Sequence, residues 1–385
     1  MEFEKLKNIA TFPTGKLNSN AAEIDGQYPF FTCAHEIFRI NNYSYDGEYV
    51  LLGGNNASGD FPIFYYNGKF DAYQRTYLIQ PFDSNRYLTR YLYYAIGLRL
   101  SQMKGNAAGT ATKFLTQSIL NNLYIEKRLI DKQNKIISVL SAYDNLIDVN
   151  NKRIKTLGQM AENLYKEWFV RFRFPGHENT EFENGIPKGW ELKRIGDLVQ
   201  LKSGYAFKSE WWIEEGVPVI KIKDIESNTI NLSDLSFVSK VHAEKSKLFF
   251  VNPGDLLIAL TGATIGKIGL VPYCKNILTV NQRVGKFFLG KTPCESVAFW
   301  FCMFQQTHIQ EHIIAIASSN AAQPNISPFD IERIRIPYNK DVVDKFNKKV
   351  QPFVEQILDI RRINHNLVKQ RDLLLPRLMS GKLEV

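Results

Sequence analysis

Two dipeptides of the same composition, Gln74-Arg75 and Gln282-Arg283, stand at matching places in the two halves of this 385-residue chain. Arginine binds guanine, and glutamine binds adenine, through paired hydrogen bonds in the major groove of DNA, so this pair of residue types is suited to contacting bases. The alternative for a repeated Gln-Arg is internal bracing of each domain, and phosphate contacts fall between the two, because half or more of protein–DNA hydrogen bonds go to the backbone. A second rank of polar residues on loops at comparable positions comprises Lys16, Asn55, Asn56, Lys104, Asn106 and Lys113 in the first half. Its counterpart in the second half is Lys202, Lys208, Lys267, Asn320, Gln323 and Asn325.

Other fragments have the look of catalytic motifs and lack their chemistry. His308-Ile309-Gln310-Glu311-His312 has the spacing of inverted zinc proteases, but the first half has nothing comparable around Tyr94 to Leu98. Gly262-Ala263-Thr264-Ile265-Gly266-Lys267-Ile268 has three residues between its glycines where a phosphate-binding loop has four, and an isoleucine where a hydroxyl should hold Mg²⁺. A tight turn after the preceding strand is the expectation there. Glu191-Leu192-Lys193 has the carboxylate and lysine of many nucleases without the further carboxylates that hold metal ions. Asn252-Pro253-Gly254-Asp255 lacks the second proline and the aromatic ring of a base methyltransferase motif, and no glycine-rich cofactor loop is found. No catalytic residue and no metal ligand is assigned.

The elements that must position these residues follow from composition and repetition. A formal charge of +9 and a pI near 9.1 point to a polyanionic partner, and 13% aromatic residues supply flat surfaces for a core or for bases. With 44% hydrophobic and 23% charged residues the chain has the composition of an ordinary globular protein. The longest apolar run, Val297 to Phe304, is far too short to span a bilayer. Cys33, Cys274, Cys294 and Cys302 form no C-x-x-C pair and read as reduced thiols. Residues Met1 to Lys5 do not resemble a signal peptide, so the expected location is cytoplasmic and not at a membrane.

The segment Ile130-Asp131-Lys132-Gln133-Asn134-Lys135 recurs as Val343-Asp344-Lys345-Phe346-Asn347-Lys348. Leu6, Ile9, Gly15 and Pro29 recur at a constant offset as Ile195, Leu198, Gly204 and Pro218. Gly47-Glu48 pairs with Gly254-Asp255, and Asn106-Ala107-Ala108 with Asn320-Ala321-Ala322. A period near half the chain means a tandem duplication. Each copy begins with short strands broken by turn signals, such as Tyr49 to Leu52 and Phe61 to Tyr66 before Asn67-Gly68, and contains one helix, Leu88 to Leu100 in the first and Val297 to Ile316 in the second.

Each copy ends in a long helix. Ile136, Leu140, Tyr143, Ile147, Asn150, Ile154, Leu157, Ala161, Leu164 and Trp168 alternate spacings of four and three, a heptad seam. Val350, Phe353, Ile357, Ile360, Asn364, Leu367, Arg371, Leu374 and Leu378 repeat it, with Pro352 and Pro376 expected to begin or kink the helix. The two seams are expected to face each other, with Leu140, Ile147, Ile154 and Leu157 against Phe353, Ile357, Ile360 and Leu367. The fold class is therefore α+β: two tandem mixed α/β domains separated by two long helices that form an antiparallel coiled coil with pseudo-twofold symmetry. The expected boundaries are residues 1–128 for the first domain, 129–174 for the central helix, 175–340 for a linker and the second domain, and 341–385 for the last helix.

Read together, these stations resemble the specificity subunits of type I restriction-modification enzymes. The second copy opens Ile186-Pro187-Lys188-Gly189-Trp190 and continues through Ile195-Gly196-Asp197, Gly204-Tyr205-Ala206-Phe207 and Gly254-Asp255-Leu256-Leu257-Ile258. The helices end Leu164-Tyr165-Lys166-Glu167-Trp168-Phe169-Val170-Arg171-Phe172 and Arg371-Asp372-Leu373-Leu374-Leu375-Pro376-Arg377-Leu378-Met379-Ser380-Gly381. The first domain departs from the pattern: it lacks the Pro-x-Gly-Trp entry, and Gly47-Glu48-Tyr49 replaces Gly-Asp-Leu.

The resemblance implies a non-catalytic reader whose two target recognition domains each bind one half of an interrupted target in double-stranded DNA. It implies partners: modification (methyltransferase) subunits, two in number, that bring S-adenosylmethionine and flip the adenine they methylate, and restriction subunits that add ATP-driven, Mg-dependent translocation and cleavage. No cofactor is expected in this chain. The competing class is a self-contained DNA-modifying enzyme, a nuclease or methyltransferase, which would bind S-adenosylmethionine or metal by itself.

Overall fold

The computed structural model describes residues 2–55, 61–106, 114–226, 228–319 and 324–384, with the side chains of 104–106 and 319 outside that description. The chain divides into two compact units, Met1–Ile147 with Leu367–Val385, and Asp148–Asn366.

The first unit is built on a six-stranded sheet in the order Ala10–Thr11, Thr76–Pro81, Tyr45–Gly53, Ile63–Ala72, Tyr28–Phe31, Phe38–Ile40. Side chains alternate across a strand, and in Tyr45–Gly53 the alternation sorts two cores. Val50 and Leu52 join Tyr91, Leu92 and Ile96 of the helix Thr89–Asn106, while Leu51 joins Phe31, Phe70 and Leu78 on the opposite face. A one-residue slip would exchange these sets, so burial on both faces fixes the register. The turn expected at Asn67-Gly68 does not form. Gly47 and Gly68 lie directly opposite each other, both with positive φ, and the ladder runs on to Tyr45↔Phe70.

The second unit carries a six-stranded sheet, whose middle strands are Val284–Phe288, Leu256–Ala259 and Ile268–Leu270, and a four-stranded sheet that includes Val217–Ile220 and Thr279–Val280. Leu256 and Ile258 face the helical core, whereas Leu257 and Ala259 face the second sheet. The helix expected over Val297 to Ile316 is two, Val297–Met303 and Thr307–Ser319. Between them the buried Gln306 folds its side-chain amide back to donate to the Cys302 carbonyl, at 2.9 Å.

Both long helices are present, Ile130–Tyr165 and Lys340–Met379. The first leaves α geometry in a π turn, Lys166–Val170, at the point where Trp168 and Phe169 enter the core of the second unit against Phe346 and Phe299. The second runs from Lys340 through both prolines, neither of which begins it. Asn339 starts it, its side-chain oxygen accepting from the Val342 N–H at 3.1 Å, and the burial of Phe346, Val350 and Val354 holds the following turns against the missing proline donor.

Each unit contains a stretch of both helices. In the first, Ile136 and Leu140 share a core with Leu378 and Met379, Arg128 Nη2 donates to the Met379 carbonyl at 2.8 Å, and Arg371 Nη1 donates to Asp144 Oδ1 at 2.8 Å. In the second, Ile154, Leu157, Phe353, Ile357 and Ile360 form one cluster, Asn150 Nδ2 donates to Asn364 Oδ1 at 2.7 Å, and Arg153 donates to Gln356 at 2.9 Å. Within each unit, residue numbers rise along one helix as they fall along the other. Ile147 and Leu367 are half-buried. Among the described residues, no helix is long and apolar enough to cross a membrane.

Candidate nucleic-acid interface

The two Gln-Arg pairs occupy the same hydrogen-bonded turn in the two units. In the first, Tyr73 N–H donates to the Phe31 carbonyl, Gln74 N–H to Leu17, and the Arg75 carbonyl accepts from Gly54 N–H. In the second, Asn281 N–H donates to Ile220, Gln282 N–H to Tyr205, and the Arg283 carbonyl accepts from Leu260 N–H. The backbones cross closely at Gly15 and Gly204, where a Cβ would fall 2.2 Å from the Ala72 oxygen and 2.3 Å from the Val280 oxygen. Only glycine fits either place. The repeated glycine is thus explained by the turn it lies against.

This frame also fixes which residues correspond. Counted from the turn, Leu51↔Leu78 in the first sheet matches Leu257↔Lys286 in the second, and Tyr49 matches Asp255. The sequence pairing of Gly47-Glu48 with Gly254-Asp255 is one residue out of step, since it would put Val50 on the face that Leu257 occupies. Asp255 and Lys286 form a buried ion pair, 3.0 Å apart with 3% and 8% of their side chains exposed. Asp255 also accepts from Asn252 N–H, and burial raises its pKa. The Gly-Asp-Leu station therefore braces the sheet. The first unit holds Tyr49 and Leu78 there, within an apolar cluster, an exchange that often leaves stability unchanged.

The backbone of each turn is fixed while its side chains are exposed. Gln74 donates to Asn18 at 3.1 Å, and Gln282 accepts from Asn281 at 3.0 Å. Arg75 and Arg283 form no ion pair among the described residues. Beside the turn, Asn55 pairs with Phe114, and at the matching place Thr261 pairs with Asn325. In the second unit these residues, with Ser203, Gln282, Arg283 and Ser327, line an open cleft of about 600 Å³. A neighbouring cleft of about 300 Å³ shares Gln282 and Arg283 and adds Phe207, Trp212, Lys221 and Lys223. Flexible donors over an ordered backbone, in clefts lined by no carboxylate among the described residues, suit an anionic, hydrogen-bonding partner.

The remaining candidates scatter. Lys16 is exposed next to Leu17, which anchors the first turn. Lys202 is half-buried in a strand with its ammonium 5.6 Å from the Phe288 ring centre, and Lys208 lies as far from Trp211. Lys267 is exposed at the end of the glycine turn, where Gly262 and Gly266 both have positive φ. Asn56, Lys113, Asn320 and Gln323 lie outside the described residues, as do the side chains of Lys104 and Asn106. His308 and His312 are exposed on the helix Thr307–Ser319. Among the described residues no three His, Cys, Asp or Glu side chains are grouped to hold a metal ion.

Sequence reading missed Lys221 and Trp212, which lie 3.6 Å apart, ammonium to ring centre. The available signal was a lysine following an apolar strand in a basic chain.

The chain matches the family described as type I restriction modification DNA specificity domain twice, over residues 1–159 and 187–345. It is 24% identical over 379 residues to the type I restriction enzyme MjaVIII specificity subunit of Methanocaldococcus jannaschii, covering 94% of this chain and 88% of the relative. It is 27% identical to the MjaIX specificity subunit of the same organism, covering 77% and 70% respectively. A crystal structure of a type I restriction-modification S subunit from M. genitalium shares the fold, with a TM-score of 0.53, 18% identity and coverage of 98% of this chain and 95% of that one.

Proposed function

Because this chain belongs to the type I restriction modification DNA specificity family, we propose that it is the sequence-reading, non-catalytic subunit of a type I restriction-modification complex. Each unit's recognition domain reads one half of a bipartite target in double-stranded DNA. The observation that carries this is the duplicated Gln-Arg turn: two family matches, each containing the same hydrogen-bonded backbone with an exposed glutamine and arginine on it. Family membership also sets aside the self-contained nuclease or methyltransferase.

We divide the chain into recognition domains at 1–128 and 175–340 and spacer helices at 129–174 and 341–385. The helices act as an antiparallel coiled coil that relates the two copies by a pseudo-twofold and sets the gap between half-sites. The opposed residue numbering within each unit and the Asn150–Asn364 hydrogen bond support this, since a polar seam residue specifies register in coiled coils. A helix of 36 residues is about 54 Å long, more than one turn of DNA. Two modification subunits bring S-adenosylmethionine, restriction subunits bring ATP and Mg-dependent cleavage, and the complex works in the cytoplasm.

A titration of the full chain against a labelled mixed-sequence duplex at several salt concentrations tests DNA binding. Affinity should fall linearly on a log–log plot as salt rises, because each neutralised phosphate releases counter-ions. Absence of any salt-dependent binding would overturn the proposal.

A further inference from the structure

The smaller cleft of the second unit contains a cation that forms no ion pair among the described residues, although the buried Asp224 carboxylate acts on it from a distance. Lys221 follows the strand Val217–Ile220 and is half-buried, with its ammonium against the Trp212 ring. No carboxylate lies within ion-pair distance of it among the described residues. Its neighbour Lys223 differs, because its ammonium donates to the Asp234 carboxylate at 2.7 Å and to the Asp234 carbonyl at 2.9 Å. The backbone under Lys221 is locked: its N–H donates to Asp224 Oδ2 at 2.7 Å, and Asp224 N–H donates back to the Lys221 carbonyl at 3.0 Å. Burial, and then the positive charge of Lys223, hold the Lys221 ammonium below its ordinary pKa.

A lysine ammonium is a compact point charge without the planar fork that selects one base, so it suits a phosphate better than a base edge. Resting on that reading of the unit as DNA-binding, we propose that Lys221 seats one backbone phosphate in the cleft it shares with Gln282 and Arg283. It is a positioning residue: the seated phosphate fixes where Gln282 and Arg283 meet the bases. Packing on Trp212 and the locked turn hold the ammonium in place before DNA arrives, so little side-chain freedom is lost on binding. An approaching phosphate also relieves the unfavourable environment of the buried charge.

The test uses the full chain, a mixed-sequence duplex and four variants. Lys221→Met and Lys221→Gln should each flatten the slope of log affinity against log salt by about 0.9. Between 50 and 200 mM salt, the affinity advantage of the unaltered chain over them should therefore shrink about 3.5-fold. Lys221→Arg should restore the slope, and Lys188→Gln, which lines neither cleft and whose charge Glu181 already matches, should leave it unchanged. An unshifted midpoint in a urea titration followed by circular dichroism checks that the fold is intact, and because Lys221→Met keeps the apolar stem, its slope is still read if Lys221→Gln unfolds. Salt-dependent binding whose slope is the same with and without the Lys221 charge would overturn this proposal alone. No salt-dependent binding by the unaltered chain would overturn the DNA reading and this proposal with it.

Discussion

Removing one member of the Asp255–Lys286 pair should destabilise the second unit far more than removing both. Both side chains are almost wholly buried, and besides Asp255 the Lys286 ammonium meets the Phe250 carbonyl and the Phe288 ring. Asp255→Leu leaves an ammonium in the interior, a change that costs about 3–5 kcal/mol. Lys286→Met should cost less, because the stranded carboxyl can take up a proton, in the direction that burial already pushes it. The double variant Asp255→Tyr with Lys286→Leu copies the Tyr49 and Leu78 arrangement of the first unit and should return to within about 1 kcal/mol of the starting stability. All five tryptophans, Trp168, Trp190, Trp211, Trp212 and Trp300, lie in the second unit, so tryptophan fluorescence in urea follows that unit selectively. With a urea slope of about 2–3 kcal/mol/M, Asp255→Leu should lower the midpoint by about 1–2.5 M. The reasoning fails if that loss is below about 1 kcal/mol, or if the double variant is as unstable as the worse single one.

Arg75→Ala and Arg283→Ala should each cost about 1–3 kcal/mol of DNA affinity and relax specificity in one half-site only; equal weakening on every sequence with a shallower salt slope would mean phosphate contact, and a lowered melting midpoint a structural role. Cysteines replacing Asn150 and Asn364, which are hydrogen-bonded across the helices, should form a disulfide on oxidation, and efficient cross-linking of Asn150 only to a position near Phe346 would contradict the proposed register. The highly purified chain should neither methylate nor cut DNA, and should not hydrolyse ATP, until partner subunits are added; turnover abolished by a point change in this chain would contradict a purely reading role.

The duplication, with its repeated glycine and Gln-Arg stations, and the long helices were legible because backbone crossings and heptads leave residue types behind. Gly15 and Gly204 repeat because a Cβ would strike a carbonyl in both units. The asparagines of the seam repeat, and Asn150 and Asn364 bond to each other. Sheet register was less legible. Matching Gly47 with Gly254 satisfied residue type, whereas the faces of Val50 and Leu256 are decided by cores assembled from distant segments. The helix runs on through Pro352 because tertiary packing around Phe346 and Val354 outweighs the lost donor there. Lys221 escaped notice because its character comes from Trp212 and from Asp234 engaging the wrong neighbour, Lys223. Neither contact has a sequence spacing.

Whether each domain reads half of one interrupted target is decided by sequencing methylated adenines in cells carrying this chain with its partner subunits, before and after Arg283→Ala. The expected result is a motif of two specific blocks separated by a fixed gap, lost when the chain is deleted, with Arg283→Ala altering one block and leaving the other and the gap intact. A methylation pattern that survives deletion of the chain, or a variant that changes both blocks together, would contradict it.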